Sequence, residues 1–286
     1  MAKSSTITLS SILTNHKRQV GATWLMVIIE NVLMALLPLF IGYSIDSLMT
    51  KSDAQQTHDV YVLAGLLTGL IAVSIVRRLY DTRIYGGIRI EIGLQTHAQL
   101  AQHPVATRNA RLDMSRELVD FLEDELPPLL TAAIQLSVSI IILANFNQWL
   151  GVSAVAAGCI MLLIYSAFHQ HFIRLNAALN TQMERQVKVL TLMPLGALRV
   201  HLEKLNSREI HLSDTEAYVY GLIFLVLFGF VITNLLLTTQ VTDPSAGELF
   251  SIVTYSLEFV EAAILLPITL QTFSRLSEIS QRLNVS

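Results

Sequence analysis

The sequence predicts an all-α membrane protein with six transmembrane helices, and three observations lead to that fold class. Of the 286 residues, 52% are hydrophobic and only 14% are charged, which is too apolar for a soluble domain. Six apolar runs are long enough to cross a hydrocarbon core about 30 Å thick as α-helices. The Lys and Arg residues fall almost entirely between alternate runs. A helix is the expected spanning element because it satisfies its own backbone hydrogen bonds in lipid.

The six predicted spans follow one another along a single predicted domain, residues 1–286. The first span begins after Lys17-Arg18, and the second ends at Arg77-Arg78. Long polar segments with apolar residues at helical spacing follow the second and fourth spans, so we expect two helical hairpins that extend beyond the membrane. The next helix after the first polar segment should start at about 113–116, and Pro194 and Gly196 should break the second hairpin. The spans are about 20–45, 60–78, 128–147, 151–170, 216–238 and 249–273.

Basic residues predict the orientation of the chain. Eighteen Lys and Arg residues lie on one side of the predicted spans and one, Lys51, lies on the other. The positive-inside rule assigns the basic side to the cytoplasm. Both termini and both hairpins are therefore predicted to be cytoplasmic, as in a protein of the bacterial inner (cytoplasmic) membrane.

The first span ends with Pro38-Leu39, Gly42 and Ile45-Asp46, and His103-Pro104 and Ser115-Arg116-Glu117-Leu118 follow in the first hairpin. Six spans with two long hairpins and this first-span ending resemble the transmembrane domain of ABC exporters. The resemblance implies a dimer whose two copies enclose the transport pathway, with hairpins that contact an ATPase. The coupling-hairpin residues that it suggests are Pro104, Arg108, Asp113, Pro194 and Arg199.

The sequence has no Gly-x-x-x-x-Gly-Lys-Ser/Thr loop, which a nucleotide-binding domain would need to cradle phosphate. We therefore expect no cofactor or enzymatic activity in this chain, and ATP to act only through a partner ATPase. No Cys/His pattern suggests a metal site. The architecture is also similar to that of the SbmA-like peptide transporters, which lack ATPase domains and, as a family, are dimeric and proton-driven. The expected partners are a second copy, membrane lipid and, in the ATP-driven alternative, a separate nucleotide-binding subunit, without nucleic acid.

Carboxyl groups inside the predicted spans are the sharpest chemical signal. Glu30 lies in the first span, and Glu258 and Glu261 lie three apart in the sixth, on one helix face. An ionisable group near the bilayer centre costs at least about 2.5 kcal/mol on insertion scales, so it needs a reason to be there. We expect the three groups to bind protons or a cationic substrate. The alternative is that they hydrogen-bond to Asn31, Asn234 or Gln271 and only fix helix packing.

Weaker signals concern packing and exposure. Gly65 and Gly69 form a Gly-x-x-x-Gly pattern, which allows close helix approach either within one subunit or at a dimer interface. His201 and His211 are predicted to face water on the second hairpin.

Three functions remain open at this point. The leading prediction is a transporter of a small, cationic or amphipathic solute or peptide, working by alternating access in a dimer and coupled to protons. The second is the membrane subunit of an ABC transporter whose ATPase is encoded separately. The third is a membrane scaffold or regulator that transports nothing.

Overall fold

The computed structural model describes residues 9–50, 53–99, 105–192, 195–240 and 244–284, and these residues are almost entirely helical. A π-helical turn, Phe121–Glu125, connects two of the helices without a break. The all-α prediction is confirmed, because the described segments contain no strand. The helices are α1 Leu9–Asn15, α2 Lys17–Thr50, α3 Asp53–Gln99, α4 Val105–Asp120, α5 Leu126–Phe146, α6 Gln148–Leu192, α7 Leu195–Thr238 and α8 Ala246–Asn284.

Five helical segments are long and apolar enough to cross a membrane, and the chain is an integral membrane protein. The sixth predicted span lies on α8, whose side chains are described only as far as Leu265, so it stays a prediction. The five segments are Lys17–Met49, Thr57–Ala98, Arg111–Phe146, Gln148–Met183 and Leu198–Thr238.

The polar segments after the second and fourth spans continue the same helices. α3 is 47 residues long and therefore extends about 70 Å at 1.5 Å per residue. One predicted boundary was wrong, because the helix expected to start at 113–116 starts at Val105. In the second polar segment α6 ends at Leu192 and α7 begins at Leu195, one residue before Gly196.

The chain divides into two compact units, of which the first comprises Met1–Gly151 and Leu235–Ser286. In this unit α2 packs against α3, α5 and α8, and α8 also packs against α5. An apolar core fills the end of the unit where α1, the start of α2, the polar half of α3, α4 and the π-helical turn meet. Its fully or almost fully buried members are Ile12, Val20, Tyr85, Ile88, Ile92, Leu118, Val119, Phe121 and Leu122.

The second unit, Val152–Asn234, consists of most of α6 and α7. Ser153 donates a hydrogen bond to Asn234 Oδ1 near one end of the pair. Gln182 Nε2 donates to His201 Nδ1 at 2.9 Å near the other end. The prediction that His201 faces water was wrong, since the ring is only 5% exposed and has an amide partner on the neighbouring helix.

Candidate functional site

The residues that end the first span form one face of α2, and that face contacts α8. Pro38, Gly42 and Asp46 are four residues apart, a spacing that aligns them along the helix. At Gly42 the two backbones approach so closely that a Cβ there would overlap the carbonyl oxygen of Gly247. A Cβ at Gly247 would overlap the carbonyl oxygen of Gly42 in turn. Both glycines are therefore required by the helix contact itself.

Asp46 binds the start of α8. Its carboxylate accepts hydrogen bonds from Ser245 Oγ at 2.6 Å and from the backbone N–H of Gly247 at 2.7 Å. The first amides of a helix have no intrahelical partner and carry partial positive charge, so a carboxylate is favoured at this position. The aspartate that ends the first span thus caps a helix about 200 residues later in the chain.

Two hydroxyl groups of α8 bind α2 around its internal proline. Pro38 has no backbone N–H, so it cannot donate within α2, although the helix continues through it. Ser251 Oγ donates to the carbonyl of Pro38 at 3.0 Å, and Tyr255 OH donates to the carbonyl of Ala35 at 2.7 Å. The carbonyl that loses its intrahelical donor at Pro38 is that of Met34, and the bonds from Ser251 and Tyr255 add donors to two carbonyls beside it, which ties α8 to α2 on either side of the proline.

The same contacts show at which height along α2 the carboxyl groups of α8 lie. Asp46 meets Gly247 and Ala35 meets Tyr255, so α2 and α8 run antiparallel. Continuing that register by one or two turns places Glu258 level with the part of α2 just after Glu30.

Glu258 and Glu261 have different surroundings within the chain. One carboxylate oxygen of Glu258, Oε2, is buried and has no hydrogen-bond partner among the described residues. Glu261 is exposed. Residues three apart on a helix are separated by about 60° around its axis, so the edge of a packed face can fall between them. Of these two glutamates, Glu258 is therefore the one with a buried carboxylate oxygen that has no partner among the described residues.

Glu30 has a partner that the sequence did not suggest. It forms an ion pair with Arg77 of α3, the residue taken only as the end of the second span. Arg77 Nη1 also donates to Asp81 Oδ2 at 3.2 Å. The alternative prediction named Asn31, Asn234 or Gln271 as hydrogen-bond partners of the carboxyl groups and did not include Arg77.

The amides that were predicted to bind the carboxyl groups hydrogen-bond elsewhere or lie outside the described residues. Asn31 is buried and donates through Nδ2 to the carbonyl of Val27 at 2.8 Å, within its own helix. Asn234 belongs to the second unit, where it accepts from Ser153. The side chain of Gln271 lies outside the described residues.

A family model described as ABC transporter transmembrane region matches residues 9–247, from the first residue of α1 to the glycine that binds Asp46. The chain belongs to this family. The match confirms the resemblance to the ABC transmembrane domain, and with the apolar helices it indicates a role in membrane transport. A comparison with curated proteins finds no match.

In this ABC transporter transmembrane region, two of the predicted coupling-hairpin residues form hydrogen bonds within their own helices. Arg108 is partly buried near the start of α4. Asp113 is exposed and accepts from Asn109 Nδ2 at 3.2 Å. Arg199 is exposed and donates to Glu203 Oε1 at 2.8 Å, one turn along α7. Pro104 and Pro194 lie outside the described residues, so their predicted position at the hairpin turns stays a prediction.

A charged contact between the arms of the first hairpin was found only in part from the sequence. Arg89 Nε donates to Asp120 Oδ1 at 2.7 Å, and Arg89 Nη2 lies 2.7 Å from Glu123 Oε2. The sequence left three roles open for the acidic run 123–125, namely a helix N-terminus, pairing with the arginine-rich hairpin or contact with an ATPase, and Glu123 pairs with Arg89 of that hairpin. Asp120 and Glu123 are three residues apart, so both carboxylates face the same side and reach one guanidinium. We call Arg89, Asp120 and Glu123 the hairpin clasp.

Proposed function

We propose that this protein transports a small cationic or amphipathic solute or peptide by alternating access, as one half of a homodimer, with the proton gradient as its energy source. In this proposal both termini and both hairpins are in the cytoplasm, and the membrane is the bacterial inner membrane. The observation that carries the proposal is the buried carboxylate oxygen of Glu258, which no described residue pairs.

The position of Glu258 supports a coupling role. It lies one turn from Tyr255, which binds the proline-containing part of α2. A carboxyl beside a helix contact meets more or less water as the contact opens or closes, and the cost of its charge changes with hydration. Proton binding can therefore bias which of two conformations is populated. A bias of about 1.4 kcal/mol changes the population ratio about tenfold.

The proposed substrate class follows from charge. Glu261 is exposed on the same helix as Glu258, so it presents a carboxylate to whatever lies beside α8. A negatively charged lining favours cations and amphipathic molecules with a cationic end. This argument assigns a class of solute and leaves the direction of transport open.

The proposed dimer follows from open surface on α3. No described residue lies within 4 Å of the position that a Cβ would take at Gly65 or Gly69. That open space favours a second copy or lipid as the neighbour over packing within one subunit. Six helices of an exporter-like domain form only half of a pathway, so we propose a second copy.

Proteoliposomes test the proton-coupled function. The protein would be reconstituted without ATP, a pH gradient imposed, and uptake of a fluorescent lipophilic cation followed together with internal pH. We expect Glu258→Gln to abolish gradient-driven flux, since glutamine keeps the shape of the side chain but cannot titrate. Glu209→Gln, at an exposed carboxyl of α7, is the control and should retain flux. Persistent gradient-driven flux in Glu258→Gln would remove Glu258 as the coupling group.

A second candidate is the membrane subunit of an ABC transporter with its ATPase on another polypeptide. The family match favours it, since such regions are generally paired with nucleotide-binding partners. The hairpin clasp also favours it, because a braced hairpin can transmit motion from a docked ATPase. Flux that requires ATP and an added ATPase subunit would support this candidate. No flux under either condition would favour the scaffold or regulator.

A further inference from the structure

The π-helical turn Phe121–Glu125 lies where the packing partners of one continuous helix change. Before the turn, α4 packs mainly against α3 and to a smaller extent against α8. Phe121 and Leu122, at the start of the turn, are buried in the core with members of α1, α2 and α3. After the turn, α5 packs against α8 and α2. The turn therefore joins a segment held mostly by the first hairpin to a segment held by α8 and α2.

The turn has fewer backbone hydrogen bonds than an α-helix of the same length. The N–H of Leu126 donates to the carbonyl of Phe121, five residues back instead of four. Residues 127 and 128 are both prolines and have no N–H. The carbonyl of Glu123 would need a helical donor at 127 or 128, so it receives none. The carbonyl of Leu122 has no donor at 127 and has lost that of Leu126 to Phe121. Prolines and π-helical turns are both common causes of helix kinks.

The hairpin clasp holds this turn from the side. Arg89 of α3 binds Asp120, the last residue of α4, and Glu123, the third residue of the turn. The side chain of Glu123 is only 9% exposed and that of Arg89 is 26% exposed. Ion pairs that are shielded from water interact more strongly than exposed ones. One guanidinium therefore ties both the end of α4 and the turn itself to α3.

We propose that the π-helical turn is a hinge about which α5 tilts relative to α4, and that the hairpin clasp locks this hinge. With the clasp closed, the end of α4 and the turn are both fixed to α3, and the helix keeps one angle. With the clasp open, the turn bends at little further cost in backbone hydrogen bonds, because two of its carbonyls have no helical donor. α5 then moves together with α8, while α4 stays with α3. This inference concerns the fold itself and goes beyond the proposed function.

Spin labels at exposed positions measure such a tilt in purified protein in nanodiscs, whether or not the protein transports a solute. Cys159, the single cysteine, would first be replaced by serine. Ile71 of α3 and Ile141 of α5 are 59% and 58% exposed and suit the labels. Each lies about 18 residues from the clasp, or about 27 Å along its helix. A tilt of about 20° would therefore move residue 141 by about 9 Å.

We expect one narrow distance between the labels at 71 and 141 in the parent, and a distribution widened by up to about 9 Å in Arg89→Ala. A second label pair, at Leu94 of α3 and Asp113 of α4, lies on the hairpin side of the turn and should keep its distance. Arg199→Ala breaks an exposed ion pair on α7 and is the control that should change neither distance. Equal distributions in the parent and Arg89→Ala would overturn the proposal. So would widening at both label pairs, since local unfolding would produce it.

A second set of variants tests the turn itself. Pro127→Ala combined with Pro128→Ala supplies two N–H donors, so in the Arg89→Ala background it should return the distance between 71 and 141 to a narrow distribution. Widening that persists after both prolines are replaced would show that the turn is not the hinge. If Arg89→Ala does not fold, Glu123→Gln takes its place, because it keeps the bond to Asp120 and removes the ion pair inside the turn. It should also widen the distribution, and an unchanged distance would exclude the clasp as the lock.

Discussion

The backbone N–H of Gly247 donates to the carboxylate of Asp46 at 2.7 Å, so the end of the first predicted span holds the start of α8. Two further hydrogen bonds, from Ser251 and Tyr255, continue the contact along the same face of α2. The segment that suggested the family, from Pro38 to Asp46, is therefore the surface of α2 that contacts α8.

Replacing Asp46 by alanine should destabilise the protein by about 1 kcal/mol, the usual cost of losing a helix N-terminal capping group. Ser245 Oγ and the N–H of Gly247 would both lose their acceptor. Thermal unfolding in nanodiscs measures the change. Asp214→Ala removes an exposed aspartate and serves as the control, and an equal effect of both variants would show that the cap contributes nothing.

A methyl group at Gly42 should push α2 and α8 apart. Its Cβ would overlap the carbonyl oxygen of Gly247, which is backbone and cannot rotate away. Overpacking of this kind typically costs about 1–3 kcal/mol. Gly65→Ala is the matched control, since no residue that the structure describes lies within 4 Å of a Cβ at that position. Unfolding of the monomer in detergent should separate the two variants, and equal stability would contradict the close contact.

Removing the phenol hydroxyl of Tyr255 should weaken α2 next to its proline. Tyr255→Phe removes this second donor from the carbonyl of Ala35, and a hydrogen bond of this kind contributes about 0.5–1.5 kcal/mol. Hydrogen exchange should show faster opening of the α2 amides around residue 38. Tyr218→Phe changes a tyrosine that is 82% exposed and should leave exchange unaltered. Uniform exchange rates in all three proteins would argue against the predicted effect.

The hairpin clasp should contribute more than an exposed ion pair. Arg89→Ala removes one guanidinium from two carboxylates and should cost about 1–2 kcal/mol, since hydrogen bonds to charged groups exceed neutral ones. Arg199→Ala breaks a pair whose arginine side chain is 82% exposed, and exposed pairs contribute less than about 1 kcal/mol. Limited proteolysis of the first hairpin provides the measurement. Faster cleavage is expected only in Arg89→Ala, so resistance equal to that of the parent would exclude the clasp as a brace.

The proposed homodimer predicts a mass of two chains in native nanodiscs. A leucine at Gly69 would project from the open side of α3, so it should lower the dimer fraction if that surface is the interface. Gly21→Leu is a control at another glycine with open space around it. Finding only monomers of folded protein would remove the dimer from the proposed function.

The sequence by itself determined the class of the protein and most of its helices. Apolar runs of spanning length follow from the cost of backbone polar groups in lipid, and that cost depends on local composition alone. The third predicted span, 128–147, ends next to Phe146, where α5 ends before α6 begins at Gln148. The ending Pro38, Gly42 and Asp46 pointed to the family that the comparison confirmed.

Only the tertiary structure decided which polar groups meet. Glu30 pairs with Arg77, 47 positions along the chain, and Arg89 pairs with Asp120 and Glu123 across a π-helical turn. Such partners depend on the rotation of one long helix against another, and a shift of one residue turns a side chain by about 100°. Hydrophobic spacing constrains that rotation weakly when most faces of a helix are apolar, as they are in a membrane protein. The sequence therefore identified the costly carboxyl groups, and packing determined that Glu30 and Asp81 share one arginine while Glu258 has none among the described residues.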